Sequence, residues 1–174
     1  MSWQTDASHT HIQFAVRHMM LAKVRGHFDK FDVAVDLDEA NPERTSVKVD
    51  IDAASLDTRD AHRDGHLRSA DFLNAEVYPT LHFQSKRVEQ INAERARLVG
   101  DLTIRDVTRE VPLDVEFIGR SKSPWGAESL GFNAKTKINR KDWGLTWNVG
   151  LETGGWLVGD EVAIEIDAEL TRKN

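Results

Sequence analysis

The stretch Val162-Ala163-Ile164-Glu165-Ile166-Asp167-Ala168-Glu169-Leu170 decides how the chain is read. Apolar side chains hold every second position from Val162 to Leu170, and carboxylates hold three of the four positions between them. Successive side chains of a β-strand point to opposite faces, so this segment is a strand with one buried and one wetted side.

The same period of two recurs upstream. Leu130, Phe132, Ala134, Thr136 and Ile138 form one row, and Val111, Leu113, Val115 and Phe117 another. Leu98, Gly100, Leu102 and Ile104 follow the pattern, as do Leu81 and Phe83 in a shorter run after Pro79. Nearer the N-terminus stand Val47, Val49, Ile51 and Ala53, then Phe31, Val33, Val35 and Leu37, and finally Ile12, Phe14 and Val16. Each of these eight runs carries mostly polar residues on its other side. Strands covered by helices on both faces would read as continuous apolar stretches, so an α/β layer structure is disfavoured.

Eight half-apolar strands in one open sheet would leave a broad apolar face in water. The sheet must fold over as a sandwich or close as a barrel, and closure also removes unpaired edges. Asn41-Pro42, Tyr78-Pro79, the span from Gly119 to Gly126 and Gly154-Gly155 supply the turns. Residues 59–74 break the alternation and suit a short helix or ordered loop, with Leu67, Phe72 and Leu73 as apolar contacts. Such an insertion could cap one end of a barrel.

At 174 residues, 40% hydrophobic and 30% charged, the chain suits one globular domain spanning 1–174. A net charge of −6 argues against a nucleic-acid partner, which calls for a basic face. The absence of cysteine removes disulfides, thiolate nucleophiles and Cys-based zinc sites. No basic start followed by an apolar run is read at the N-terminus, so the expected location is the cytoplasm, or the periplasm if a leader has been removed.

The seven histidines are the residues to question. His62 and His66, four apart in the expected helix, share a face and have a spacing that can ligate a metal. Arg63 stands where a zincin motif has glutamate. His9 and His11 share a strand face; as a group, these four also read as ordinary polar or capping residues. His18 continues the row of Ile12, Phe14 and Val16, either as a core histidine or as a contact for a ligand. No Gly-x-Ser-x-Gly elbow and no dinucleotide-binding glycine pattern is present. Arg140 and Asp142, after the seventh run, either pair locally or offer a cation to a ligand. Trp143, Trp147 and Trp156 are large amphipathic rings suited to a barrel mouth as well as to plain packing.

Several blocks together resemble the YceI-like proteins. They are Ser8 to His18, Val24-Arg25-Gly26-His27-Phe28, Asp64 to Leu73, Tyr78 to Phe83, Gly100 to Arg109, Ile138 to Gly144 and Val158 to Val162. The resemblance covers nearly the whole chain in the family's order. It implies an all-β, eight-stranded antiparallel, lipocalin-like barrel, often a homodimer, whose interior holds a polyisoprenoid such as the tail of an isoprenoid quinone.

Physics supports such a cargo independently. An eight-stranded barrel either fills with side chains or holds one ligand. Burial contributes about 0.8 kcal/mol per CH₂, so a few isoprene units approach the practical ceiling on affinity without elaborate polar contacts. The expected lining is Phe14, Val16, Phe31, Val33, Leu81, Phe83, Leu102, Ile104 and Phe132 from strands, with Leu67, Phe72, Trp143 and Trp147 beside them. His18 and Arg140 are the expected polar contacts at the mouth. No catalytic residue, metal or cofactor other than the bound lipid is expected, and a lipid cargo leaves room for transient membrane contact. The alternatives are a metal-dependent hydrolase or isomerase using His62 and His66 with acids such as Asp60, or a barrel whose solid core serves only as an interaction module.

Overall fold

A computed structural model describes residues 2–152, 155 and 157–173. Trp156, expected near the mouth, and Gly154 of the last turn signal lie outside the described residues. Among these residues the chain forms eleven strands in a single antiparallel sheet, with one α-helix. The strands are β1 (Gln4–Thr5), β2 (His11–His18), β3 (Ala22–Phe28), β4 (Phe31–Asp36), β5 (Ser46–Asp52), β6 (Leu56–Asp57), β7 (Thr80–Gln90), β8 (Arg95–Ile104), β9 (Val107–Lys122), β10 (Ala127–Asn139) and β11 (Val158–Lys173). The helix, α1 (Ala61–Arg68), falls inside the 59–74 insertion.

The expected count of eight is corrected by three strands. β1 and β6 are two-residue ladders too short to show a period. β3 is a full strand whose inward row is Val24, Gly26 and Phe28. Glycine interrupts that row because the register sets Gly26 opposite Phe14. A Cβ at Gly26 would come within 2.4 Å of the Phe14 ring, so the ring occupies the space a side chain would need. An apolar count along β3 therefore misses the strand.

The sheet runs β4-β5-β7-β8-β9-β10-β11-β2-β3-β6, and it curls so that its two edges face each other. At one end β1 pairs with β11 and the Thr5 hydroxyl donates to the carbonyl of Val33 on β4 at 2.6 Å. At the other, Asp52 N–H donates to Lys30 O at 2.9 Å and Asp29 N–H to Ser55 O at 3.1 Å, tying the β3–β4 turn to the β5–β6 connection. The barrel is thus shut by local bridges instead of an unbroken ladder. The main core holds Ile12, Val49, Phe83, Leu113 and Ile138, and a second cluster of Trp3, Leu130 and Leu170 closes one end.

The insertion is pinned by polar contacts. Asp60 caps α1 by accepting from Arg63 N–H at 3.1 Å. Buried Asp64 accepts from the backbone N–H and the hydroxyl of Thr58, at 2.9 and 2.5 Å. Arg68 donates to the carbonyls of Ala54 and Leu56, both at 2.9 Å, so the helix is fixed to the β5–β6 corner.

Candidate functional site

The inward rows of the long strands do not meet in a solid core. They enclose two cavities, of about 180 Å³ and about 320 Å³. Along β11 the first is lined by Val158, Val162, Ile164 and Ile166, and the second by Ile166, Ala168 and Leu170. β9 repeats the order, with Val111 and Leu113 on the first and Leu113, Val115 and Phe117 on the second. The chambers are therefore stacked along the strands. They share four wall residues, Val49, Phe83, Leu113 and Ile166, which form a waist between them.

The first chamber is apolar almost throughout; Gln13, Thr136 and Arg140 are its polar wall residues. Arg140 is 2% exposed, and its donors are already engaged. Nε donates to Gly159 O at 2.8 Å, Nη1 to Leu145 O and Trp147 O at 2.5 and 3.0 Å, and Nη2 to Val158 O at 3.4 Å. Burial pulls its pKa below the usual arginine value, while the charge of Asp160 at 3.8 Å pulls the other way. A guanidinium so committed clamps the 145–159 segment onto the end of β11 and keeps no free fork for an anionic head group.

The second chamber ends among charges. Asp38, Glu39, Glu94, Arg95 and Arg120 stand in its wall. Arg120 pairs with Glu39 and with Glu128, the latter at 2.7 Å, and Arg172 binds the same two carboxylates. Trp3 lies beneath, its ring centroid 4.4 Å from Arg172 and 5.8 Å from Arg120. Cations over an aromatic face and between carboxylates make a closed ionic cap over Trp3.

Of the expected lining residues, Phe14, Val16, Leu67, Phe72, Leu81, Phe83, Leu102 and Ile104 wall the first chamber, and Val33, Phe83 and Phe132 wall the second. Phe31 packs against the core from outside the cavity walls. Trp143 is buried as a plug whose indole N–H donates to Leu102 O at 2.9 Å. Trp147 meets the rings of His66 and Phe72 edge-on or tilted, at 4.4 and 5.5 Å between centroids. His18 ends β2 beyond the cavity and is exposed. Sequence reasoning passed over the waist, although Val49, Leu113 and Ile166 lie in rows it had read. What singles them out is convergence from three distant strands, which no single row displays.

Among the described residues, two groups bring three ligating side chains together: Asp6, His9 and Glu169, and His27, Asp29 and Asp57. Neither group walls the apolar chambers, and His62 and His66 belong to neither. His66 Nε2 is hydrogen-bonded with the Asp71 carboxylate at 2.9 Å and His62 is exposed, so the expected face-sharing pair is split between a local contact and solvent.

A curled antiparallel sheet around an apolar, two-chambered lumen defines a barrel of the lipocalin-like kind. The YceI-like domain model matches residues 3–170, and the chain belongs to that family. A UPF0312 protein of Staphylococcus aureus strain MSSA476 is 37% identical over 167 residues, 95% of each chain. Among solved structures, a Campylobacter jejuni YceI protein is 32% identical with a TM-score of 0.78, covering 91% of this chain and 90% of that one. BcnA of Burkholderia cenocepacia shares the fold at 23% identity and a TM-score of 0.80, covering 95% and 99%. A polyisoprenoid binding domain from Saccharophagus degradans shares it at 13% identity and a TM-score of 0.67, covering 98% of each chain.

Proposed function

We propose that the protein binds a long polyisoprenoid, or the isoprenoid tail of a quinone, inside the barrel and carries or stores it without converting it. The observation that carries this reading is the pair of stacked apolar chambers joined at Val49, Phe83, Leu113 and Ile166. An apolar cavity of about 150 Å³ stays dry and takes one benzene ring. Each chamber alone is thus suited to a short apolar segment, and a long flexible chain gains most by threading the waist into both. A diphosphate has no free cationic partner in the first chamber, where Arg140 is committed to four carbonyls. The polyisoprenoid-binding domain of Saccharophagus degradans, with the same fold, supports the choice of cargo.

The test is organic extraction of the purified protein followed by mass spectrometry, with titration of a prenyl alcohol of at least eight isoprene units, long enough to enter both chambers. A co-purifying prenyl lipid, or saturable stoichiometric binding, is the expected result. Absence of both overturns the reading.

A further inference from the structure

We infer that the β2–β3 hairpin tip docks the protein on an anionic membrane surface, next to the end of the first chamber. This names a place where lipid cargo would be exchanged, and so extends the proposed function, while the docking itself is independent of what the lumen holds.

The turn between His18 and Leu21 is closed by Leu21 N–H donating to His18 O at 3.0 Å. Its central residues, Met19 and Met20, both have positive φ, 51° and 61°. A tight turn of that geometry favours Asn-Gly, because bulky side chains pay for the left-handed region. Here two methionines occupy it, followed by leucine. They are not there to fill the core, since Met19, Met20 and Leu21 are 42%, 62% and 78% exposed. Local strain combined with exposed apolar side chains points to a surface whose partner is elsewhere.

The tip is part of a larger patch. Met19 N–H donates to Leu157 O at 2.8 Å and Leu157 N–H to Val149 O at 2.9 Å, and Val149 is 47% exposed. Met20 lies over Gly155, where an added Cβ would meet its sulfur at 2.2 Å. The patch adjoins the first chamber, because β11 pairs Val162 with Val16 and Val158 with His18, and Val16, Val158 and Val162 are chamber wall. Other exposed apolar residues, such as Val77, Ile91 and Trp125, stand on separate turns.

Charge selects the partner. The register sets Arg17 opposite Lys23 and Ala15 opposite Arg25, so three cations share the outer face just below the tip. Of the acids at the near end of β11, Asp160 is engaged by Lys141 at 3.3 Å and Glu161 by Lys137 at 3.8 Å, while Glu165, Asp57 and Asp114 share the outer groove with Arg25 farther along the strands from the tip. Glu152 is the one carboxylate in the sequence 144–157. On a chain of net charge −6, three cations beneath an apolar tip complement an anionic bilayer: the side chains of the tip enter the interface and the cations meet the head groups.

The experiment is flotation of the full chain with vesicles of phosphatidylcholine alone or with phosphatidylglycerol, at low and high salt. The wild-type protein is expected to float with the anionic vesicles and to lose flotation as salt rises. The double variant M19N/M20G installs the turn's preferred residues, so it should keep its unfolding midpoint while partitioning falls at least about tenfold. Replacing Arg17, Lys23 and Arg25 by glutamine should cost about fivefold for each charge removed. Wild-type protein that ignores anionic vesicles, or M19N/M20G that floats as wild type does, overturns the inference. So does a dimer, seen by sedimentation, that M19N/M20G dissociates while wild-type protein fails to float. Mass spectrometry and the prenyl-alcohol titration on the same preparations separate the two readings: lipid bound without flotation defeats the docking alone, and flotation with neither co-purified lipid nor saturable binding defeats the cargo alone.

Discussion

The Nη1 of Arg140 lies 2.5 Å from the carbonyl oxygen of Leu145, five residues on, and both side chains wall the first chamber. One guanidinium thereby converts an irregular segment into a chamber wall, which a helix or strand would otherwise have to supply. Lysine at 140 keeps the charge and loses the planar fork that reaches several carbonyls together. Arg140→Lys should destabilise the fold by about 2–4 kcal/mol, since buried acceptors lose charged partners. Urea unfolding measures the loss, and faster chymotryptic cleavage within 145–157 identifies its source.

The waist makes a prediction about chain length. Replacing Leu113 by Trp adds bulk where both chambers meet, at an overpacking cost of about 1–3 kcal/mol. Binding of a long prenyl alcohol should drop by an order of magnitude or more, because the chain can no longer thread. A ligand of ring size should still bind in the first chamber with little change. Fluorescence displacement with the two ligands separates a blocked waist from a collapsed barrel, in which both are lost.

Much of the barrel was legible in the sequence because each long strand carries its own alternation, as β11 does from Val162 to Leu170. What escaped depends on partners distant along the chain. β3 was hidden by Gly26, whose small size makes sense only beside the Phe14 ring. Arg140 was expected either to pair locally or to meet a ligand at the mouth, and nothing local reveals that four carbonyls from 145–159 converge on it. Trp143 was expected on the lining, yet its indole N–H is spent on Leu102 O, a strand removed by 41 positions. Insertion 59–74 was seen as a cap, and Leu67, Phe72 and Leu73 indeed wall the first chamber.

Gly100 tests the close approach between β7 and β8. A Cβ there would sit 2.5 Å from both the carbonyl oxygen of Gln84 and the Phe83 ring. One of the two is backbone and cannot step aside cheaply, and the other is a waist residue. Gly100→Ala should therefore destabilise the protein, by about 1–3 kcal/mol, although alanine suits a strand better than glycine. Because Phe83 must move, long-chain binding should weaken as well. A variant as stable as wild type in urea, with unchanged binding, would show that the strands separate freely at this point.

The N-terminal segment carries a pH-dependent contact. His9 Nδ1 lies 2.8 Å from Asp6 Oδ2 and 3.9 Å from Glu169 Oε2. The hydrogen bond to His9 holds the Asp6 carboxyl below its ordinary value, helped by the Ser8 hydroxyl. The hydrogen bond that His9 donates to Asp6 raises the imidazole above its usual range, and the charges of Glu169 and Asp6 add to it. A raised imidazole stabilises the folded state fully below the unfolded value of 6.5, and that contribution is lost as pH climbs through the folded value. A lowered carboxyl stabilises it above 3.8, and that contribution is lost as pH falls through the folded value. Both contributions therefore coexist between these limits. The gap in thermal midpoint between wild type and His9→Ala should be widest at about pH 5 and narrow toward about pH 8 and about pH 3. Since His9 is exposed and Asp6 partly so, added salt should shrink the gap throughout. A gap that stays constant from acid to alkaline pH would mean that His9 contributes through packing alone.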